Sequence, residues 1–69
     1  MVSYDIFWKT LKEKNVSTYK LIEKHNISPS VLTRMRRNEY LGLRKIEDFC
    51  KILECDISDI VRYIPDNKE

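Results

Sequence analysis

The chain has 69 residues, 42% of them hydrophobic and 35% charged, with one glycine, two prolines and a formal net charge of +2. That length supports one domain and one small core, because a chain this size buries only about 60% of the surface exposed when unfolded. The composition excludes disorder and a turn-rich all-β fold, and no stretch reaches the roughly 20 apolar residues of a membrane helix.

In chain order the sequence reads as short helices with polar stops. Ser3 is placed as the N-cap of a first helix running to about Lys14, with Asp5 in the first turn where it suits the helix dipole. Phe7, Trp8 and Leu11 recur at helical spacing, and Phe7 and Trp8 are read as core rather than as a ligand box. "KNVS" breaks this helix, and Ser17 caps a second, "TYKLIEKH", whose Leu21 and Ile22 face inward. Asn26 stands where helices often close on a left-handed residue, a conformation asparagine tolerates. Ile27 plugs the turn.

Ser28 caps a third helix with Pro29 at its first position, where a missing N–H costs nothing. It runs to about Asn38. The loop "EYLG" leads to a fourth helix from Leu43 to Glu54, with Ile46, Phe49, Cys50 and Leu53 on its buried face. Asp56 and Asp59 form a capping-box pattern opening a last short helix, "ISDIVRY", whose Ile57, Ile60, Val61 and Ile64 close the core before Pro65. Five helices and no strand, an all-α single domain spanning 1–69, is the expected architecture.

The small net charge hides a strong asymmetry. Arg34, Arg36, Arg37, Arg44 and Lys45 against Glu39 give residues 34–45 a charge of +4, whereas residues 46–69 sum to −4. Such segregation bears on partners. Two cysteines, Cys50 and Cys55, are too few for a secreted disulfide scaffold and lack metal-ligand spacing. Cys50 reads as a small buried residue and Cys55 as a helix-end residue, five positions apart and not able to bridge without disrupting the helix. No metal and no cofactor are expected. His25, the only histidine, has no partner ligand and is read as a satisfied structural residue. There is no glycine-rich phosphate loop and no Ser–His–acid set, so no enzymatic activity is expected. The N-terminus carries no basic-then-apolar leader pattern, which predicts a soluble, cytoplasmic protein.

On a helical wheel, Ser30, Thr33, Arg34 and Arg37 share one face of the third helix, and Leu32 and Met35 fall on the opposite side. An apolar pair pins the helix while short hydroxyls and guanidiniums point outward. Short hydroxyls at a helix N-terminus let backbone and dipole approach phosphate or base edges. Arg34, one turn further in, has the reach for a bidentate fork on a guanine's O6 and N7. Arg37 suits a phosphate, and Arg36 points sideways. A basic face is also compatible with mere solvation; the preceding helix and three- to four-residue turn favour a helix-turn-helix.

Residues 18–38, "TYKLIEKHNISPSVLTRMRRN", resemble the helix-turn-helix of the Cro and phage-repressor family, also called the xenobiotic-response-element family. Leu21 and Ile22 match its paired first-helix positions, Asn26 the turn position usually held by glycine, and Ile27, Leu32 and Met35 its three locking apolar positions. "CKILECDISDIVRYIPD" is similar to the C-terminal end of small stand-alone members from bacteria and phages. Ile22 is bulkier than the alanine common there, and no glutamine occupies the base-reading positions, which leaves the target sequence open. The resemblance implies a compact five-helix, lambda-repressor-like domain with its helix-turn-helix at about 18–38 and its recognition helix at about 29–37.

It further implies base-edge contacts from Ser28, Pro29, Ser30, Thr33 and Arg34. Backbone contacts are implied for Thr18, Tyr19, Arg37, Arg44 and Lys45. Tyr40, beside the basic cluster, and Tyr63 are each open to a phosphate contact or a dimer contact. The expected function is sequence-specific binding of double-stranded DNA as a small transcriptional regulator, a repressor by preference, as a homodimer on a two-fold operator. The alternative is a protein-interaction module of the same fold, antitoxin-like or adaptor. RNA binding is disfavoured, because the basic face carries no stacking aromatic.

Overall fold

The computed structural model describes residues 1–65; the last four positions of the single domain read from the sequence lie outside the described residues. Strand β1 (Val2–Ser3) leads into helices α1 (Asp5–Glu13), α2 (Thr18–His25), α3 (Pro29–Arg36) and α4 (Leu43–Leu53). A 3-10 turn (Ile57–Asp59) and strand β2 (Arg62–Tyr63) complete the order.

The helix starts arise from local chemistry. Ser17 Oγ accepts from Lys20 N–H at 3.1 Å, and Ser28 Oγ accepts from Ser30 N–H at 3.3 Å with Pro29 first in α3. The helix ends share one device. Asn15, Asn26, Asn38 and Glu54 all adopt positive φ, between 53° and 60°, directly after α1, α2, α3 and α4 or their caps. The left-handed residue turns the chain so that the next N–H reaches back into the helix: Val16 to the Leu11 carbonyl at 2.9 Å, Glu39 to Arg34 at 3.0 Å, Cys55 to Cys50 at 3.1 Å. Three of the four left-handed residues are asparagine, the best non-glycine choice, while the only glycine, Gly42, caps α4 with ordinary negative φ.

The core joins all the helices. Phe7, Leu21, Met35, Phe49 and Ile60 are fully enclosed, and the Phe7 and Phe49 rings meet edge to face at 4.9 Å. Trp8 is only half-buried. Its ring packs on Phe7 at 4.8 Å and carries the Arg36 guanidinium 5.1 Å above it. The sideways direction of Arg36 therefore has a cause: it ties α3 to α1.

The expected fifth helix and absence of strands are corrected: among the described residues there are four α-helices and two short strands, and the fifth helix is a single 3-10 turn. Its capping box forms as read, with Asp56 and Asp59 exchanging side-chain and backbone bonds. One turn before Pro65 adds too few bonds to offset helix nucleation, and the β-branched residues beyond it favour extension. The chain pairs antiparallel with the N-terminus instead, Val2 opposite Tyr63 and Ser3 opposite Arg62, with Ile64 N–H bonded to the Met1 carbonyl at 2.8 Å. Ile60 is buried and Val61 packs half-buried against the core as read, whereas Ile57 and Ile64 are exposed rather than core.

At the other end of this ribbon, extension of Ser3 moves the N-cap position to Tyr4. Ser3 Oγ still accepts from Asp5 N–H at 3.2 Å. Buried Thr10 secures the last turn by donating to the Asp59 carbonyl at 2.9 Å. Both cysteines are free and half-buried, and burial is the main cause of the raised pKa of each thiol.

Candidate nucleic-acid interface

The interface begins with the α2–α3 turn. Asn26 (φ 58°, ψ 33°) ends α2, and Ile27, buried to 4% exposure, anchors the turn against the core. Ser28 then starts α3 in extended conformation. Leu32 and Met35 are buried, which sets the rotation of α3 about its axis. Ser28, Pro29, Ser30, Thr33, Arg34 and Arg37 are consequently exposed together.

The three hydroxyls are ordered before any ligand arrives. Ser28 and Ser30 share a hydrogen bond at 2.8 Å between their Oγ atoms, and Thr33 Oγ1 donates to the Pro29 carbonyl at 3.2 Å. Each oxygen keeps lone-pair capacity toward solvent. Arg34 is more strongly held. Its Nε donates to Glu39 Oε1 at 3.3 Å and its Nη2 to the Tyr40 carbonyl at 2.6 Å. Arg37 Nη1 lies 3.7 Å from the other Glu39 oxygen, Oε2.

Tyr40 thus enters the cluster through its backbone, while its side chain projects into solvent. Thr18 and Tyr19 stand at the start of α2, and Arg44 and Lys45 in the first turn of α4; none hydrogen-bonds to the arginine cluster. Tyr19 is strongly exposed and Thr18 half-buried. Lys45 pairs with Asp48 at 3.7 Å, so its charge is partly compensated, whereas Arg44 is exposed with no ion pair among the described residues. His25 is exposed, which corrects its reading as a satisfied, partly buried structural residue; it borders a shallow concavity with Lys45, Asp48 and Lys51.

Three residues that organise the site carry almost no site signal in the sequence. Buried Tyr4 donates through Oη to the Glu39 carbonyl at 2.7 Å, and its N–H donates to Asn38 Oδ1 at 3.1 Å. Burial raises the pKa of its phenol above the usual value of 10.0. Asn38 and Glu39 are therefore fixed from behind by the start of α1. Spacing offers a faint sign of this, since an acid five residues after Arg34 lies beyond the helix and falls back toward it only if Asn38 turns left-handed. Among the described residues no three potential metal ligands cluster, and no helix is long and apolar enough to cross a membrane.

Comparison with known proteins gives two matches of one kind. The family model described as the Cro/C1-type HTH DNA-binding domain matches residues 7–66. The crystal structure of the transcriptional regulator VanUg (form II) superposes with a TM-score of 0.83 at 31% identity, covering 94% of this chain and 87% of that one. A search of curated proteins finds no match.

Proposed function

This chain belongs to the Cro/C1-type helix-turn-helix DNA-binding family, and on that premise we propose that it is a small transcriptional repressor that seats α3 in the major groove of a specific duplex. Ser28, Pro29, Ser30, Thr33 and Arg34 face base edges and nearby phosphates. Thr18, Tyr19, Arg37, Tyr40, Arg44 and Lys45 meet the backbone on either side. Control is by occupancy, with no catalytic step. One module offers little contact area, so two copies on a two-fold operator form the working unit.

The observation that carries this reading is the division of α3, with Leu32 and Met35 buried on one side and hydroxyls and arginines exposed on the other. The exposed face of α3 itself carries no large apolar anchor, which suits a phosphate-lined groove better than a protein partner. Selection from random duplex DNA, followed by salt titration of the enriched sequence, tests it. A preferred duplex should emerge, with log Kd rising against log salt by about 0.9 for each phosphate contacted. If no duplex outcompetes bulk DNA, the reading fails and the face belongs to a protein partner.

A further inference from the structure

An acid stands in the middle of the basic face. Glu39 places one carboxylate oxygen 3.3 Å from Arg34 Nε and the other 3.7 Å from Arg37 Nη1. All three side chains are well exposed, with 50%, 43% and 70% relative accessibility for Arg34, Glu39 and Arg37. Ion pairs this exposed contribute little to folding. Against DNA, the same carboxylate repels every phosphate backbone and offsets one unit of the charge that Arg34 and Arg37 together would bring to it.

What Glu39 supplies is direction. A guanidinium carries five N–H donors in a planar fork. Glu39 occupies Nε–H, and the Tyr40 carbonyl occupies one hydrogen of Nη2 at 2.6 Å. The edge formed by Nη1 and the remaining Nη2 hydrogen stays open, so Arg34 is offered end-on. Glu39 does not drift with its partner. Its N–H is bonded to the Arg34 carbonyl at 3.0 Å and its own carbonyl accepts from Tyr4 Oη at 2.7 Å. The carboxylate therefore aims Arg34 from a fixed base.

We infer that Glu39 is a positioning residue that sets the sequence selectivity of this interface, presenting Arg34 end-on to one guanine while lowering affinity for DNA backbone of any sequence. The inference rests on the proposed duplex-binding function. Glu39 touches no base itself; it acts through Arg34 and through the charge it subtracts.

The test compares the wild-type chain with Glu39→Ala and Glu39→Gln, each on the selected duplex and on an unrelated duplex of equal length across a salt series. Both substitutions leave the main-chain bonds of residue 39 in place, and thermal melting checks that each variant is folded. Glu39→Ala should bind the unrelated duplex about three- to tenfold more tightly at low salt, with a slope steeper by about 0.9 for each additional phosphate neutralised. Its preference for the selected duplex should fall by about tenfold. Glu39→Gln removes the charge but keeps an acceptor for Arg34 Nε, so it should show the steeper slope with most of the preference retained. In an Arg34→Ala background, Glu39→Ala should no longer change the preference. Unchanged selectivity in Glu39→Ala overturns the inference and leaves Glu39 a surface ion-pair residue. A wild-type chain that prefers no duplex instead overturns the duplex-binding function on which it rests.

Discussion

The phenol of Tyr4 donates to the main-chain carbonyl of Glu39 at 2.7 Å, joining the residue before α1 to the loop beyond α3. The side chain of the same Glu39 holds Arg34. A buried tyrosine thereby braces the exposed face of α3 across 35 residues of sequence. Tyr4→Phe keeps the ring and removes the bond. It should cost about 1 kcal/mol, the usual net worth of one hydrogen bond, and lower the melting temperature by about 4–8 °C for a chain of this size.

The same residue predicts a pH response. Burial raises the phenol's pKa in the folded state, so the folded protein holds this proton to higher pH than the unfolded chain does. Its contribution to stability is complete below the ordinary value of 10.0 and is lost as pH rises from there through the folded value. The Cys50 and Cys55 thiols, also raised by burial, act in the same direction from 9.0 upward. Denaturation measured along an alkaline series should show stability falling through this range, with a shallower fall in Tyr4→Phe.

Arg34 and Arg44 should fail in different ways. Arg34→Ala is expected to lose about 1–3 kcal/mol at a single base pair and to relax preference there. Arg44→Ala should weaken all duplexes alike and reduce the salt slope by about 0.9. Competition binding with single-base variants of the selected duplex separates the two patterns.

Arg36 is expected to serve the fold rather than the interface. It lies 5.1 Å above the Trp8 ring, and its removal should cost about 0.5–1 kcal/mol of stability while sparing duplex affinity. Trp8 is the only tryptophan, so its fluorescence in Arg36→Ala reports the lost contact directly.

Glu54 adopts φ 53° and ψ 56°, the left-handed conformation, without the tolerance that asparagine has at the ends of the other helices. Glu54→Gly should therefore stabilise the protein by about 0.5–1 kcal/mol. A rise in melting temperature with unchanged duplex binding is the expected outcome.

The contrast between Asn26 and Glu54 shows what was legible in the sequence. Asn26, flanked by His25 and Ile27, announces a helix end by its own chemistry, and α2 and α3 lie where their caps and apolar spacing put them. Glu54 announces nothing; it turns left-handed between Leu53 and Ile60, both of which are buried in the core. The last helix failed for a related reason. The capping box at Asp56 is a true local signal, but pairing of Arg62 and Tyr63 with Ser3 and Val2 draws the chain out of the helix that the box would open. On the interface, the wheel separated Arg34 and Arg37 from Arg36 because helix geometry alone decides that. Tyr4, Asn38 and Glu39 escaped notice because their roles depend on a contact between chain segments that no periodicity encodes.

The β1–β2 ribbon also governs the order in which a growing chain can be completed. The helix-turn-helix pair is made of neighbours in sequence, so its contacts close only short loops. Val2 and Ser3 must wait for Arg62 and Tyr63, and Thr10 for the Asp59 carbonyl. α1 thus lacks its final seal until Asp59, Arg62 and Tyr63 are in place, so the N-terminal end of the fold is closed by contacts between residues far apart in sequence.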